Sequence, residues 1–349
     1  MALIFRRLLT WTVFAIFLST LVHARNSGLN PDSKPAKGNQ CREIIVRKEW
    51  RDLSAADKAR YIGAVKCMQA LPASTHLPGV RTRFDDFQAV HVALMIEVHQ
   101  VGQFYPWHRR MIQVYEQMLR EDCGYTGAQP FWDWTRDADD SETIVNSPIF
   151  DPVFGFGGNG IDVPGWAGHF GNFTMIPGFT GGGCITDGPF ASYNLSVGPG
   201  TIPTNHCLIR AFNPLALNYI RTPKIEQVLK EPTFERFRIE TEGTPVTSDF
   251  RVHDGGHIAI GGEMIDRYSS PGDPLFYLHH TNLDRLWSTW QARDPKRRLK
   301  DISGYTTWEP PFTNITLDFK LKMDVLAPLV PIRDIMDIQA APSCYKYAY

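Results

Sequence analysis

The chain has 349 residues, 43% of them hydrophobic, and a formal charge of −1 with histidines neutral. So balanced a chain argues against nucleic acid or an anionic membrane as a partner, and its length allows one large domain with long loops.

Taken from the N-terminus, residues 1–24 read as a secretory signal peptide. Arg6 and Arg7 precede the apolar run Leu8 to Leu21, and Val22-His23-Ala24 offers small residues for cleavage. The run is short for a membrane span, and no later stretch is long and apolar enough to be one. A secreted, extracellular protein with no membrane partner is expected. In that setting Cys41, Cys67, Cys123, Cys184, Cys207 and Cys344 favour up to three disulfides. Asn172-Phe-Thr, Asn194-Leu-Ser and Asn314-Ile-Thr are acceptor sequences for N-glycans on surface loops.

A polar tail occupies residues 25–40, and residues 41–349 form the main domain. Ser54 is placed to cap a helix, with Asp57 near its positive end and Ala59, Tyr61, Ile62, Val65 and Met68 at roughly helical spacing. Helical patterns follow at about Phe84–Val98 and Phe104–Glu121. Pro130–Trp134 is a short aromatic turn or strand. Residues 148–206 are rich in Gly, Pro, Asn and Thr, with little periodicity. So long a loop is unusual unless functional or pinned, and Cys184 and Cys207, which bracket its second half, could pin it. Helical patterning returns at about Ala211–Lys230, breaks near Gly243-Thr-Pro245, and resumes at Ser248–Ile260 and Pro274–Arg293. Residues 306–330 alternate enough to suggest a few strands. The expected class is a mainly α four-helix bundle with long loops and small β additions.

Two sets of histidines have the spacing of metal ligands. His253 and His257 lie four apart, on one helical face and one turn from each other. One of the adjacent pair His279 and His280, on the following helix, adds a third nitrogen, since neighbours on a helix point about 100° apart. His91, His99 and His108 form the other set: one on a helix, one at its frayed end, one in the first turns of the next. Imidazole suits zinc, copper, iron and nickel alike. His-Asp-Gly-Gly-His lacks the glutamate of a zinc-hydrolase helix. All-histidine sites without carboxylate or thiolate leave metal charge uncompensated, which favours the lower oxidation state of a redox metal.

His99-Gln-Val-Gly-Gln-Phe-Tyr-Pro-Trp-His108-Arg109, followed by Glu116, resembles the first copper motif of the tyrosinase and catechol oxidase family. Asp273-Pro-Leu-Phe-Tyr-Leu-His-His280-Thr-Asn-Leu-Asp284 resembles its second. The likeness runs from about Arg47 to Tyr349. It implies a type-3 centre of two copper ions in a four-helix bundle, one held by His91, His99 and His108 and the other by His253, His257 and His280, with His279 a neighbour. It implies O2 as co-substrate and small phenols as substrates: o-diphenols oxidised to o-quinones, with some o-hydroxylation of monophenols, methoxy-substituted ones included. A strict catechol oxidase and a haemocyanin-like oxygen carrier are the alternatives.

Further expectations rest on the same resemblance. Ile96-Glu97-Val98 holds no cysteine of the kind that forms a thioether to a ligand in plant relatives. Asp254 stands where many tyrosinases have asparagine, a position that in the family, with a nearby acid, orients a water that deprotonates phenols; an anionic Asp254 could act as the base or could repel a phenolate. Asp249, four before His253, is the candidate for that acid, with a solvent-facing carboxylate as the competing reading. Ser269, just before Ser270-Pro271, takes the gate position over the copper pair. Phe104 and Phe276 are placed to pack the ligand rings. Tyr345-Lys-Tyr347 resembles the motif that closes the catalytic domain, with Arg47 as its partner. This brings Cys41 and Cys344 together and implies no C-terminal lid.

Overall fold

The computed structural model describes residues 41–140, 144–168 and 176–348. The expected signal peptide, the tail and the acceptor Asn172 lie outside these residues.

The described chain begins with β1 (Ile45–Arg47) and reaches α1 (Ala55–Met68), whose N-cap Ser54 accepts from the Asp57 N–H. Helix α2 (Arg83–Val98) starts with a reciprocal cap, in which Thr82 accepts from the Asp85 backbone while Asp85 accepts from that of Thr82. Helix α3 (Phe104–Glu121) is buried along most of its length and packs against both α2 and the later helix Leu275–Ala292. After the short α4 (Thr135–Ala138) comes the glycine-rich region. Its described residues form four short strands in place of the structureless loop that the composition suggests: β2 (Gly160–Asp162) pairs with β3 (Gly182–Ile185), and β4 (Asn194–Val197) with β5 (Pro203–Cys207), both antiparallel. Glycine permits this pairing because a Cβ at Gly160 would meet the Gly183 carbonyl oxygen at 2.1 Å.

The pattern at Ala211–Lys230 is broken by two prolines into a 3-10 turn at Pro214–Tyr219 and α5 (Thr222–Leu229). Helix α6 (Phe234–Glu242), which periodicity did not delimit, ends at Gly243 with φ 81°. Helix α7 (Val252–Ile260) begins four residues later than its pattern suggested and stops at Gly261. Helix α8 (Leu275–Ala292) leads to the short α9 (Pro295–Arg298). Only two two-residue strands, β6 (Lys320–Leu321) and β7 (Val330–Pro331), come from the alternation expected over 306–330.

Helices α2, α3, α7 and α8 form the four-helix bundle that holds the histidines. Behind it β8 (Tyr345–Tyr347) pairs in parallel with β1, so the two ends of the described chain meet. Cys41 and Cys344 are bonded there, Cys184 and Cys207 link β3 to β5, and Cys67 and Cys123 tie α1 to the segment after α3. Three disulfides point to an oxidising compartment. Among the described residues no helix is long and apolar enough to cross a membrane.

Candidate metal centre

Each histidine of interest is placed by a helix or by a helix end. His91 sits in α2, and His99 is the residue that ends it, in extended conformation. His108 is in the second turn of α3, His253 and His257 are one turn apart on α7, and His279 and His280 are on α8. The ligand-capable atoms of His91, His99 and His108 lie within 4.8 Å of one another, and so do those of His253, His257, His279 and His280. The two clusters share one floor: His108 and His280 stack with ring centroids 4.3 Å apart, and those of His99 and His253 are 5.8 Å apart.

Backbone carbonyls fix the ring orientations. The Nδ1 atoms of His91, His99, His108 and His257 are 2.6, 3.0, 2.9 and 2.6 Å from the carbonyl oxygens of Tyr268, Met95, Phe104 and Met264. A carbonyl only accepts, so each Nδ1 carries the proton and each Nε2 presents a lone pair. Nε2 of His91 and of His108 is buried without a hydrogen-bond partner. His257 Nε2 faces His280 Nε2 at 3.3 Å. Burial pushes the His91 imidazole down to about 4 and that of His253 to about 3, and holds His99, His108, His257 and His280 well below the ordinary value. These rings are therefore neutral at pH 7, the state in which imidazole binds a metal.

Aromatic packing keeps the rings in place. Phe276 lies 4.1 Å from His280 and 5.3 Å from His91, centroid to centroid, and Phe104 lies 4.7 Å from His108 and 5.1 Å from His253. His279 belongs to the second cluster by distance, its ring centroid 4.6 Å from that of His257. It packs 5.3 Å from Trp134 and so close to α7 that a Cβ at Gly256 would meet its Cε1 at 2.3 Å.

A cleft descends to His99, His253 and His257, and its walls carry Gln100, Glu242, Asp254, Arg267 and Ser270. Asp254 accepts from the Arg251 N–H at 2.9 Å and stands 3.1 Å from His253 Nδ1, and burial pushes its carboxyl up to about 7. Glu242 is bonded to Arg238 at 2.9 Å and to the Gln100 N–H at 2.8 Å; burial outweighs both and pushes it up to about 8.

Two expected positions need correction. Asp249 is exposed before α7 and is absent from the cleft wall. The acid beside Asp254 is Glu242, on the helix before. Ser269 is wholly buried and faces the β4–β5 hairpin, where a Cβ at Gly198 would meet its Oγ at 2.4 Å. Successive residues of a tight turn face different ways, so Ser270 lines the cleft in its place. Glu242, Arg267 and Trp308 went unnoticed in the sequence. Glu242 and Arg238 are spaced as an ordinary surface ion pair, and nothing local signals their burial.

The sequence profile described as the common central domain of tyrosinase matches residues 81–293. The chain belongs to the tyrosinase family. It is 33% identical to Tyrosinase P of Aspergillus terreus over 335 residues, covering 88% of this chain and 93% of that protein. It is also 33% identical to the N-acetyl-6-hydroxytryptophan oxidase of Emericella nidulans, covering 86% and 92%. Among solved structures, a polyphenol oxidase from Thermothelomyces thermophila superposes with a TM-score of 0.81 at 34% identity, covering 90% of this chain and 91% of that one. The chain is thus a tyrosinase-family copper oxidoreductase. Its two clusters of neutral, buried histidines with inward lone pairs fit the family's dicopper centre.

Proposed function

We propose that the protein is a secreted polyphenol oxidase that oxidises o-diphenols to o-quinones and also hydroxylates some monophenols, methoxy-substituted ones included. His91, His99 and His108 hold one copper, and His253, His257 and His280 the other. The observation that carries this assignment is the unpartnered Nε2 atoms of His91 and His108, buried beside the facing Nε2 atoms of His257 and His280. A buried polar atom without a partner is costly, and a metal removes that cost. His280 is preferred to His279 because its ring lies between the clusters, stacked on His108.

When bound, the copper pair supplies two-electron exchange with O2. The chain supplies the rest. Backbone carbonyls hold the imidazole protons of His91, His99, His108 and His257 on Nδ1, and Phe104 and Phe276 exclude water from the floor. Asp254 and Glu242 flank the cleft where a phenolic hydroxyl enters, and orient the water that takes its proton. Ser270 keeps the entrance narrow-walled but unobstructed, which suits rings with extra substituents. Residues 1–24 direct export, and Asn194 and Asn314, both exposed, are available for N-glycans.

The test is oxygen uptake by copper-loaded protein against a panel of mono- and diphenols. Catechol consumption at a rate proportional to copper content, with slower consumption of a monophenol such as guaiacol, is expected. Reversible oxygen binding without turnover of any catechol would make the protein a carrier and overturn the reading.

A further inference from the structure

Four buried arginines are matched to an acid, Arg47 to Glu116, Arg109 to Asp284, Arg210 to Asp273 and Arg238 to Glu242, and two more spend donors on neutral oxygens, Arg110 on Gln113 and Arg298 on the Trp290 carbonyl. Arg267 does neither. It is partly buried in the wall of the metal cleft, yet among the described residues its guanidinium makes no hydrogen bond and has no carboxylate within ion-pair distance. Its contact is with the Trp308 ring, 5.1 Å from the guanidinium carbon, and the Trp308 N–H donates to the His99 carbonyl at 2.5 Å. The indole thus fixes the cation over one edge of the copper floor.

The nearby acids are already engaged. Glu242 is held by Arg238 and the Gln100 N–H. Asp254 accepts from the Arg251 N–H and stands beside His253 Nδ1. Asp266 accepts from the backbone N–H groups of Gly200, Tyr268 and Ser269 at 2.8, 2.9 and 2.8 Å. A partly desolvated guanidinium with its donors unspent is a receptor for a planar oxyanion, which it can grip with two parallel hydrogen bonds.

We infer that Arg267 binds the carboxylate of the substrate, so that the preferred phenols carry an acid group on a short side chain. His253 and His257 line the same cleft, so one molecule can reach the floor with its ring and Arg267 with its carboxylate. This rests on the phenol-oxidising reading given above, and names the substrate class for that site.

The test compares 3-(3,4-dihydroxyphenyl)propionate with its primary amide on copper-loaded protein, by oxygen uptake. The wild-type protein should favour the acid in kcat/KM. In Arg267→Gln the acid-to-amide ratio should fall on the order of tenfold, the loss expected for a charge-assisted hydrogen bond, with the change mainly in KM; Arg267→Lys should keep much of the preference. A second readout is calorimetric binding of 3-phenylpropionate, which should weaken in Arg267→Gln relative to its amide. Equal losses for acid and amide would mean that Arg267 only supports the wall, and equal binding of the acid to both proteins would mean that its carboxylate goes to the metal. Either result overturns the inference while leaving the oxidase reading intact. Failure of the wild-type protein to oxidise either catechol would overturn both.

Discussion

Two buried polar clusters lie one turn apart along α8, around His280 and Asp284, and they are built to opposite rules. In one, Asp284 accepts from Arg109 at 2.5 Å and from the hydroxyls of Tyr345 and Tyr347 at 2.5 and 2.6 Å, while Arg47 bonds Glu116 at 2.5 Å and stacks 3.5 Å over Tyr345. Both oxygens of Asp284 are spent, and the cluster locks β1, α3, α8 and β8 together. In the other, Nε2 of His91 and of His108 keeps a lone pair with no hydrogen-bond partner. Of two buried polar groups, the satisfied one serves the fold, and the one left open, with its geometry fixed, serves the chemistry.

Removing a ligand should break the contrast most severely. His108→Ala and His280→Ala should each reduce oxidase activity to background and lower copper content, with circular dichroism unchanged. Normal activity in either variant would sink the ligand assignment.

The clusters should also fail in different pH ranges. An unfolded histidine takes a proton near its ordinary value of 6.5, whereas buried His91 resists until about 4. Between these values the unfolded chain binds more protons, so metal-free protein should lose stability as pH falls from about 6.5 towards 4. Asp284 behaves in the other sense. Burial opposes its charge, but Arg109 and Arg47 prevail and hold it below its ordinary 3.8, so its contribution is complete above that value and disappears only at lower pH. Urea midpoints measured from pH 7 to 3, with and without copper, should show a first decline that copper delays and a second that it does not.

Asp284→Asn is the complementary lesion. It leaves Arg109 and Arg47 short of a counter-charge, and should cost about 3–5 kcal/mol in denaturant unfolding. Copper bound per folded molecule should be retained. Loss of copper without loss of stability would show that this cluster serves the metal and would erase the contrast.

The sequence makes the histidine cluster more legible than its surroundings, for a physical reason. A ligand pair one helical turn apart and a long motif are local facts, so all six candidate ligands could be named from the sequence, and so could the joining of Arg47 to Tyr347 and of Cys41 to Cys344. The cleft wall is not local. Glu242 comes from a helix that ends 11 residues before His253, so spacing offered only the nearer Asp249, which the structure leaves facing solvent. Ser269 and Ser270 differ only in which way a tight turn points them, which spacing does not reveal.

The wall gives the smaller effects. Asp254→Asn keeps an oxygen for the Arg251 N–H but removes the charge that faces an incoming phenolate. The ratio of monophenol to diphenol activity should rise on the order of threefold, roughly 0.6 kcal/mol in relative barrier. An unchanged ratio in oxygen-uptake assays would remove Asp254 from substrate selection.

Ser270→Val should have a milder effect still. The added methyls enter the cleft from the turn before α8, so a methoxy-substituted catechol should lose kcat/KM relative to catechol by a few-fold, with copper content intact. The same change at Ser269 meets the backbone of Gly198 and should instead lower the unfolding midpoint with no selective effect on the bulkier ring. If Ser269→Val rather than Ser270→Val discriminated between the two catechols, the entrance would lie on the hairpin side of the turn and not along the wall that carries Ser270.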